Sequence, residues 1–407
     1  MANTNLTVDW IGNEALALAH EKLNFIGTIN REFDSSFKPG YGQTIRIRVP
    51  SQYTVTNGRV IDVQDGVQQS TSITVATQTH VAMRYNSQEY AQDLVNFRKL
   101  HLEPAMATLA AIVEGRVLEG CTQAVANVVG VTSFNITSLY YPTVARGRLN
   151  QYLAPKGGGR SLVIDSMTMA SMVGAFESFT NPARDISEQY REGFVARTAM
   201  ADIYENEKVW AMTNAATSSA TSRLGDVNGG YVLTDPDSDI TVSANYAAPN
   251  VGQVFTIAGV FACHPETKEP YTHLQQFAIT SGSTASSFNI SPVIRLTGAR
   301  KNVCTADGSD LPVGATSTAA VTFVGTGVST YVQPMMYHRD AFTFATAALP
   351  MMGGSESCTV KTYDGISLRV WEDTDIRNDE KITRIDILYG FAALRPQWAC
   401  RIIGTGQ

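Results

Sequence analysis

The sequence predicts an α+β fold that carries a small inserted all-β domain. Residues 102–129 form the longest helical pattern in the chain, and runs with the two-residue period of strands stand on both sides of it. A segment rich in Ser, Thr, Ala, Gly and Val, residues 212–330, separates two parts of mixed pattern. At 407 residues, of which 44% are hydrophobic and 17% charged, the chain can bury a large core in two or three domains.

The long helix predicted over residues 102–129 is amphipathic. Pro104 stands in the first turn of this helix, where backbone N–H groups have no acceptor within the helix, so the N–H that proline lacks costs no hydrogen bond. Apolar residues recur every three or four positions on one side, and Glu114 is among the charged residues predicted on the other side. Gly115 and Gly120 each weaken a helix interior by about 1 kcal/mol relative to alanine, so we expect packing to hold this helix.

The N-terminal part predicts two segments that cannot bury their own apolar faces. Residues 7–26 have the spacing of an amphipathic helix too short to form a domain. Residues 44–49 and 72–85 alternate like half-exposed strands, and the polar residues 53–69 between them contain turn signals. We expect an extended hairpin that needs a partner surface.

The segments around the insert predict an α/β core. Helices are expected at residues 143–153 and 166–179, the second capped by Asp165 or Ser166, with a buried strand at 161–164. Within the insert, the pattern predicts short strands of a barrel or sandwich at 239–244, 254–260, 274–280, 287–296 and 319–324. Strand runs that complete the core return at 331–350, 363–371 and 381–402.

Composition limits the class of function. The apolar runs are far shorter than the roughly 18 residues of a membrane span, and no leader pattern opens the sequence, so we expect a soluble, unexported protein. Five scattered cysteines predict reduced core thiols. The net charge of −6, without a basic run, argues against tight sequence-specific nucleic-acid binding. Arginine outnumbers lysine, which suits a protein with many interfaces.

No catalytic or metal-binding pattern is convincing. Cys263, His264 and His273 lack a fourth ligand at sensible spacing. The alternating aspartates of residues 235–239 begin like a calcium loop, but the required glycine and closing glutamate are missing. His338 and Asp340 are better explained as a polar turn, since no nucleophile motif accompanies them. We expect no enzyme activity and no cofactor.

The C-terminal segments resemble a known family. The stretch YHRDAF at residues 337–342, YDGISLRV at 363–370 and RIDILYGF at 384–391 are similar to the closing strands of tailed-phage coat proteins, of the podovirus family typified by the Salmonella phage coat protein. In the insert, VGQVFTIAGV at 251–260 resembles that family's insertion-domain strand pair. The alternative is a β-rich phage surface or receptor-binding protein, which does not account for the α/β segments after the insert.

The resemblance implies the Hong Kong ninety-seven-type capsid fold and a division into parts. These parts are an N-terminal arm (1–40), an extended hairpin or E-loop (41–86), the spine helix of the peripheral domain (87–130), the first part of the axial domain (131–211), an inserted β-barrel domain (212–330) and return strands that complete both domains (331–407).

The function that the resemblance implies is structural. Copies of the chain would assemble in the host cytoplasm into the pentamers and hexamers of an icosahedral virion shell. Its partners would be a portal protein and double-stranded DNA, which the shell holds without sequence preference. The resemblance does not decide whether a decoration protein binds the shell. Only about forty residues precede the hairpin, so a separate scaffolding protein is expected. Lysine is absent from residues 39–98, so the hairpin cannot supply the lysine of an isopeptide cross-link.

Two groups of residues are the predicted contacts between subunits. In the arm and hairpin they are Trp10, Leu18, Phe25, Val55, Arg59, Val60, Ile61 and Val63. In the insert, residues 225–239 match the family's long loop between capsomers, and the acidic side chains expected to meet a neighbour's arginines are Asp226, Asp235, Asp237 and Asp239.

Overall fold

A computed structural model of the chain describes most of its residues. They are 13–16, 23–33, 37, 43–61, 63–64, 66, 68–86, 102–130, 136, 140–156, 158–176, 194–198, 201–216, 224, 231–242, 247–281, 284, 286–312, 316–317, 319–351, 357–363 and 366–405. The chain divides into two compact units. Unit 1 contains residues 1–47, 70–118 and 342–394, and unit 2 contains 48–69, 119–341 and 395–407.

The structure has mixed α+β secondary structure dominated by strands. The named helices are α1 (Asn24–Thr28), α2 (Glu103–Gln123), α3 (Tyr140–Gln151) and α4 (Ser166–Phe176). The strands are β1 (Thr44–Val49), β2 (Gln69–Thr74), β3 (Thr77–Asn86), β4 (Val128–Gly130), β5 (Arg160–Ile164), β6 (Phe194–Thr198), β7 (Ala201–Glu205), β8 (Ala211–Thr213), β9 (Tyr231–Val232), β10 (Asp237–Thr241), β11 (Val254–Cys263), β12 (Pro270–Ser281), β13 (Ser287–Ile294), β14 (Val303–Cys304), β15 (Thr316–Ser317), β16 (Val321–Phe323), β17 (Thr330–Val332), β18 (Met335–His338), β19 (Phe342–Thr346), β20 (Ser357–Tyr363), β21 (Ile366–Asp375), β22 (Glu380–Ala393) and β23 (Ala399–Thr405).

The long helix is shorter than the sequence predicts. It ends at Gln123, and residues 128–130 instead form β4, which pairs in parallel with β23. The valine-rich sequence after Gln123 explains the error, because valines at helical spacing also fit a buried strand and β-branched side chains favour one. The start of the helix agrees with the prediction to within one residue.

The second strand of the predicted hairpin is two strands. β2 pairs with β1, whereas β3 joins the five-stranded sheet by pairing along β22. The break lies at Val75, whose N–H donates to the Gln43 carbonyl at 2.9 Å. Gly390 permits this crossing, since a Cβ there would lie 2.1 Å from the Thr74 carbonyl oxygen. Residues 77–86 are therefore part of a packed sheet rather than of a free arm.

Unit 1 is built on the five-stranded sheet, in which β20, β21 and β22 are neighbours and both β3 and β19 pair with β22. A buried ion group fixes this register. Asp386 has no exposed surface and accepts from Arg369 Nη2 at 2.6 Å and from Arg384 Nε at 2.7 Å. The Arg369 guanidinium also lies 5.4 Å from the centre of the Trp371 ring.

Unit 2 contains an eight-stranded and a six-stranded sheet. The eight-stranded sheet has the order β6-β7-β5-β18-β23-β17-β8, with β4 paired to β23. The six-stranded sheet has the order β10-β13-β12-β11-β14, with β16 paired to β11. Its core includes Phe255, which touches the rings of Phe277, Phe288 and Phe323 at centroid distances of 5.4–5.8 Å.

In the sequence, the strands of the six-stranded sheet lie between two strands of the eight-stranded sheet. The chain leaves after β8 and comes back as β17, and these two strands pair antiparallel, with Met212 opposite Tyr331. Hydrogen bonds join the two sheets within unit 2: the Gln276 amide accepts from the Val128 N–H at 2.8 Å and donates to the Val128 carbonyl at 2.9 Å.

The other predicted elements of the core are present with small shifts. The helix predicted at 143–153 is α3, and that predicted at 166–179 is α4, with Asp165 as its cap because its carboxylate accepts the Thr168 N–H at 3.0 Å. Of the helix predicted over 7–26, residues 13–16 and 24–26 are helical, Leu23 is not, and residues 7–12 and 17–22 lie outside the described residues.

Candidate assembly surfaces

The loop between β1 and β2, residues 50–68, is the most exposed apolar surface among the described residues. Val55, Val60, Ile61 and Val63 are 92%, 86%, 84% and 80% exposed. Single exposed apolar residues are ordinary, but four nearly bare aliphatic side chains within one loop are typical of an interaction site. Arg59, in the same loop, is also exposed.

Hydrogen bonds connect the two sides of the exposed loop. The Thr54 N–H donates to Gln64 Oε1 at 2.8 Å, and Gln64 Nε2 donates back to the Thr54 carbonyl at 2.7 Å. At the base, Ile45 and Ile47 of β1 pack against a buried cluster that contains Phe37. The hydrogen bonds between Thr54 and Gln64 therefore hold the two sides of the loop together.

Phe25 is not an exposed anchor, which corrects the expectation from sequence. The side chain has no exposed surface, and its ring lies 6.3 Å from that of Phe342 within unit 1. The arm continues onto the same sheet, because the Asn30 carbonyl accepts the Phe344 N–H at 3.0 Å. Trp10 and Leu18 lie outside the described residues.

Glu114 explains why the arm folds back at Phe25. The sequence places this residue on the charged side of the long helix, but its side chain is buried and Oε1 accepts the Phe25 N–H at 2.5 Å. A buried carboxylate is tolerated when it is hydrogen-bonded, and here it satisfies the first turn of α1. Periodicity could not reveal this contact, because the partner is 89 residues away.

Asp237 is committed to its own subunit, which corrects its predicted role between subunits. It is 3% exposed, and its carboxylate accepts the Tyr231 hydroxyl at 2.7 and 2.9 Å and the Thr234 N–H at 3.2 Å. Burial, followed by the hydrogen bond to Asp237, raises the pKa of Tyr231 above its usual value. The tyrosine therefore stays protonated and acts as the donor that the buried carboxylate requires.

The neighbouring aspartates also bond locally. Asp235 Oδ2 accepts both the N–H and the hydroxyl of Thr297, at 2.9 and 2.7 Å. Asp239 is exposed and accepts the Ser287 hydroxyl at 2.9 Å. Asp226 lies outside the described residues. Among the described members of this acidic group, Asp239 is exposed, Asp235 is partly exposed and Asp237 is buried.

Sequence reasoning missed another highly exposed apolar residue, Ile376, which lies outside the loop 50–68 and is 96% exposed. It lies in the turn between β21 and β22, where the Arg377 N–H donates to Asp375 Oδ1 at 3.0 Å and Asn378 Nδ2 donates to Oδ2 at 2.8 Å. The sequence signal was a lone isoleucine among turn-forming polar residues, which strand periodicity does not single out.

The residues considered for metal or catalysis serve structural contacts. His338 Nδ1 lies 3.6 Å from Asp340 Oδ2, and its ring packs edge-on against Trp398 at 5.6 Å. Burial lowers the pKa of His338, so it is neutral near pH 7. His264 Nδ1 accepts the Glu266 and Thr267 N–H groups in a turn. Within the described part of the chain, no group of three or more His, Cys, Asp or Glu side chains could hold a metal ion.

None of the helices in the described part of the chain combines the length and the apolar character that crossing a bilayer requires.

Comparison with known proteins identifies a family. The model of a family described as "P22 coat protein - gene protein 5" matches residues 62–404, which is most of the chain. A search of curated proteins found no significant match.

Several solved structures are similar to this one at low sequence identity. A structure from Mycobacterium phage Che8 is 10% identical, with a TM-score of 0.47, and the match covers 93% of this chain and 89% of that one. The capsid of the cyanophage P-SCSP1u is 9% identical, with a TM-score of 0.44 and coverage of 91% and 86%. The mature capsid of bacteriophage PhiM1 is 10% identical, with a TM-score of 0.43 and coverage of 90% and 84%.

Proposed function

Since the chain belongs to the P22 coat protein family, we propose that the exposed loop 50–68 binds a second copy of the chain and supplies a main contact of the shell. The protein is a structural major capsid protein of a phage virion, and not an enzyme. We propose that it has the Hong Kong ninety-seven-type fold. Its copies form an icosahedral shell built of pentamers and hexamers.

The exposure of the loop carries the proposal. Burying a large aliphatic side chain contributes roughly 1.5–3 kcal/mol, so the four in this loop could contribute roughly 6–12 kcal/mol. Association of two copies costs roughly 4–15 kcal/mol in lost freedom and ordering. A single contact is therefore weak, but in a closed shell each copy both offers its loop and receives a neighbour's.

The test replaces two of the four side chains. In the variant Val60→Ser with Ile61→Ser, the fold should be unchanged, because both side chains are more than 80% exposed. The loss of about 3 kcal/mol per contact should raise the concentration needed for assembly more than a hundredfold. Sedimentation and negative-stain microscopy would measure particles against free subunits.

A matched control changes an exposed apolar residue elsewhere. Met167, in the first turn of α4, is 55% exposed, and Met167→Ser should assemble like the unmodified chain. Normal shells from the Val60 and Ile61 variant would refute the proposal. Equal failure of the Met167 variant would also refute it, because the effect would not belong to the loop.

We propose that residues 212–330 act as an insertion domain. Its sheet has its own buried core, and the strands that lead into and out of it pair with each other. We propose that residues 225–239 face a neighbouring capsomer, with Asp226 and Asp239 as the charges available to its arginines. Asp239→Lys should weaken shells without unfolding the subunit, and shells of unchanged stability in urea would contradict this role.

Further partners belong to the same proposal. We propose that a separate scaffolding protein directs assembly in the host cytoplasm, that a portal protein occupies one vertex, and that the shell holds double-stranded DNA without sequence preference. The net charge of −6 supports weak contact with phosphate. Efficient assembly of correctly sized shells by the chain alone would contradict the role of a scaffold.

A further inference from the structure

Two of the five cysteines lie side by side at one edge of the six-stranded sheet. β11 pairs with the two-residue strand β14 so that Phe261 is opposite Cys304. Two residues further along β11, the Cys263 N–H donates to the Asn302 carbonyl at 3.2 Å, which continues the same antiparallel register. Opposite residues and residues two apart share a face of a sheet, so Cys263 and Cys304 are diagonal neighbours on one face. Cys304 Sγ itself lies 3.9 Å from the Phe261 carbonyl oxygen and 4.0 Å from the Ala262 carbonyl oxygen, on the backbone of β11.

Both thiols are buried. Cys263 is 3% exposed and Cys304 has no exposed surface. Burial is the largest effect on Cys263 and raises the pKa of its thiol, so little thiolate is present. Reaction at this pair consequently requires a local opening of the sheet.

The structure provides a place for that opening. β14 is the last strand in the sheet order and contributes only two residues, so few backbone hydrogen bonds hold it to β11, although its Val303 belongs to the core cluster that contains Phe255. A local opening at this strand can supply the backbone approach that a diagonal disulfide needs. The ammonium groups of Lys268 and Lys301 lower the pKa of Cys263, in opposition to burial, and favour its thiolate when the edge opens.

We propose that Cys263 and Cys304 form an intrachain disulfide by exchange with a low-molecular-weight disulfide. In the first step, the Cys304 thiolate attacks one sulfur of that disulfide and expels one thiolate, leaving a mixed disulfide on Cys304. In the second, the Cys263 thiolate attacks the Cys304 sulfur and expels the other. Two cysteine protons end on the two released thiols, the cysteines are oxidised, and the small disulfide is reduced.

The bond would fasten the edge strand of the sheet. It would join the end of β11 to β14 and close the loop of residues 264–303, which contains β12 and β13. A cross-link that closes a long loop stabilises chiefly by restricting the unfolded chain. The chain would fold with reduced cysteines and form the disulfide later, after the particle has left the reducing cytoplasm.

The experiment maps the cysteines of the full chain after oxidation. Assembled chain is incubated with oxidised glutathione, the remaining thiols are alkylated under denaturing conditions, and the non-reduced digest is analysed by mass spectrometry. We expect one linked peptide pair, joining Cys263 to Cys304 and lighter by two hydrogen atoms than the free peptides together. Thermal unfolding should shift to higher temperature and return on treatment with a reducing dithiol.

Two variants sharpen the result. Cys263→Ser should leave Cys304 carrying glutathione as a mixed disulfide, whereas Cys121→Ser, on α2, should leave the yield of the linked pair unchanged. Should Cys263→Ser fail to fold, the map of the unmodified chain decides alone. Free Cys263 and Cys304 after the half-buried Cys358 has fully reacted would overturn the proposal, as would linkage to other cysteines in similar yield.

Discussion

Replacing Arg401 with methionine should destabilise unit 2 more than any exposed substitution. The side chain has no exposed surface and joins three parts of the unit. Nη1 donates to the Gly252 carbonyl at 2.9 Å and to Gln333 Oε1 at 2.7 Å, and Nη2 donates to the Val125 carbonyl just beyond α2. Burial lowers the pKa of Arg401 to about 9, so the guanidinium is charged at neutral pH.

The expected loss follows from two opposing contributions. Each buried acceptor left without a donor costs about 1–3 kcal/mol, and Arg401→Met strands three of them. Methionine also removes a buried charge whose dehydration is costly, and this offsets part of the loss. Among the described residues the Arg401 Nε–H finds no acceptor, so the native contact is itself imperfect. We expect a net decrease of about 3 kcal/mol in the free energy of unfolding.

Urea unfolding of the free subunit, followed by circular dichroism, measures the change. A double-mutant cycle with Gln333→Met should give a coupling energy of about 1–2 kcal/mol, because the two side chains bond directly. Arg401→Lys keeps the charge but loses the planar fork, so it should fall between the unmodified chain and Arg401→Met. A loss below about 1 kcal/mol for Arg401→Met, or no coupling to Gln333, would refute this reasoning.

Three further predictions concern other parts of the chain. Tyr231→Phe should cost about 2 kcal/mol in urea unfolding, because the buried Asp237 loses a donor; a neutral effect would contradict the assignment. Burial, with a smaller contribution from Arg148, lowers the pKa of His273 from 6.5 to about 4. Between pH 6.5 and 4 the unfolded chain therefore binds more protons than the folded chain, so the contribution of His273 to the free energy of unfolding should be fully present above pH 6.5 and be lost as the pH falls towards 4. His273→Gln should flatten this part of the curve of stability against pH. An unchanged curve would argue against this role of His273. Denatured shells should run as single chains in gel electrophoresis, since residues 39–98 contain no lysine for an isopeptide bond, and a ladder of linked subunits would contradict this.

Sequence periodicity predicted most elements of the core because burial repeats along them. β1 matches its predicted bounds, and α3 and α4 lie within three residues of theirs. The errors fall where a distant contact decides the conformation. The chain breaks between β2 and β3 because it crosses close to Gly390, more than three hundred residues further along, and no local pattern contains that information.

The candidate contacts divide in the same way. Val60 and Ile61 are exposed as predicted, because apolar residues in a long polar loop have no local partner to cover them. Phe25 and Asp237 are buried, because each has a partner that the sequence pattern did not indicate. The Glu114 carboxylate accepts the backbone N–H of Phe25, and the Tyr231 hydroxyl donates to the carboxylate of Asp237. Whether the exposed residues contact a neighbour stays a prediction.

These placements separate folding from assembly. The arm near Phe25 contributes to the core of its own subunit, so truncating that side chain should unfold unit 1 and lower assembly only as a consequence. The loop around Val60 contributes nothing to a core, so truncation there should leave unfolding unchanged and remove assembly alone. Comparing Phe25→Ala with Val60→Ser, in both unfolding and sedimentation, tests this division. If Phe25→Ala subunits were stable yet unable to assemble, the arm would act between subunits and the division would be wrong.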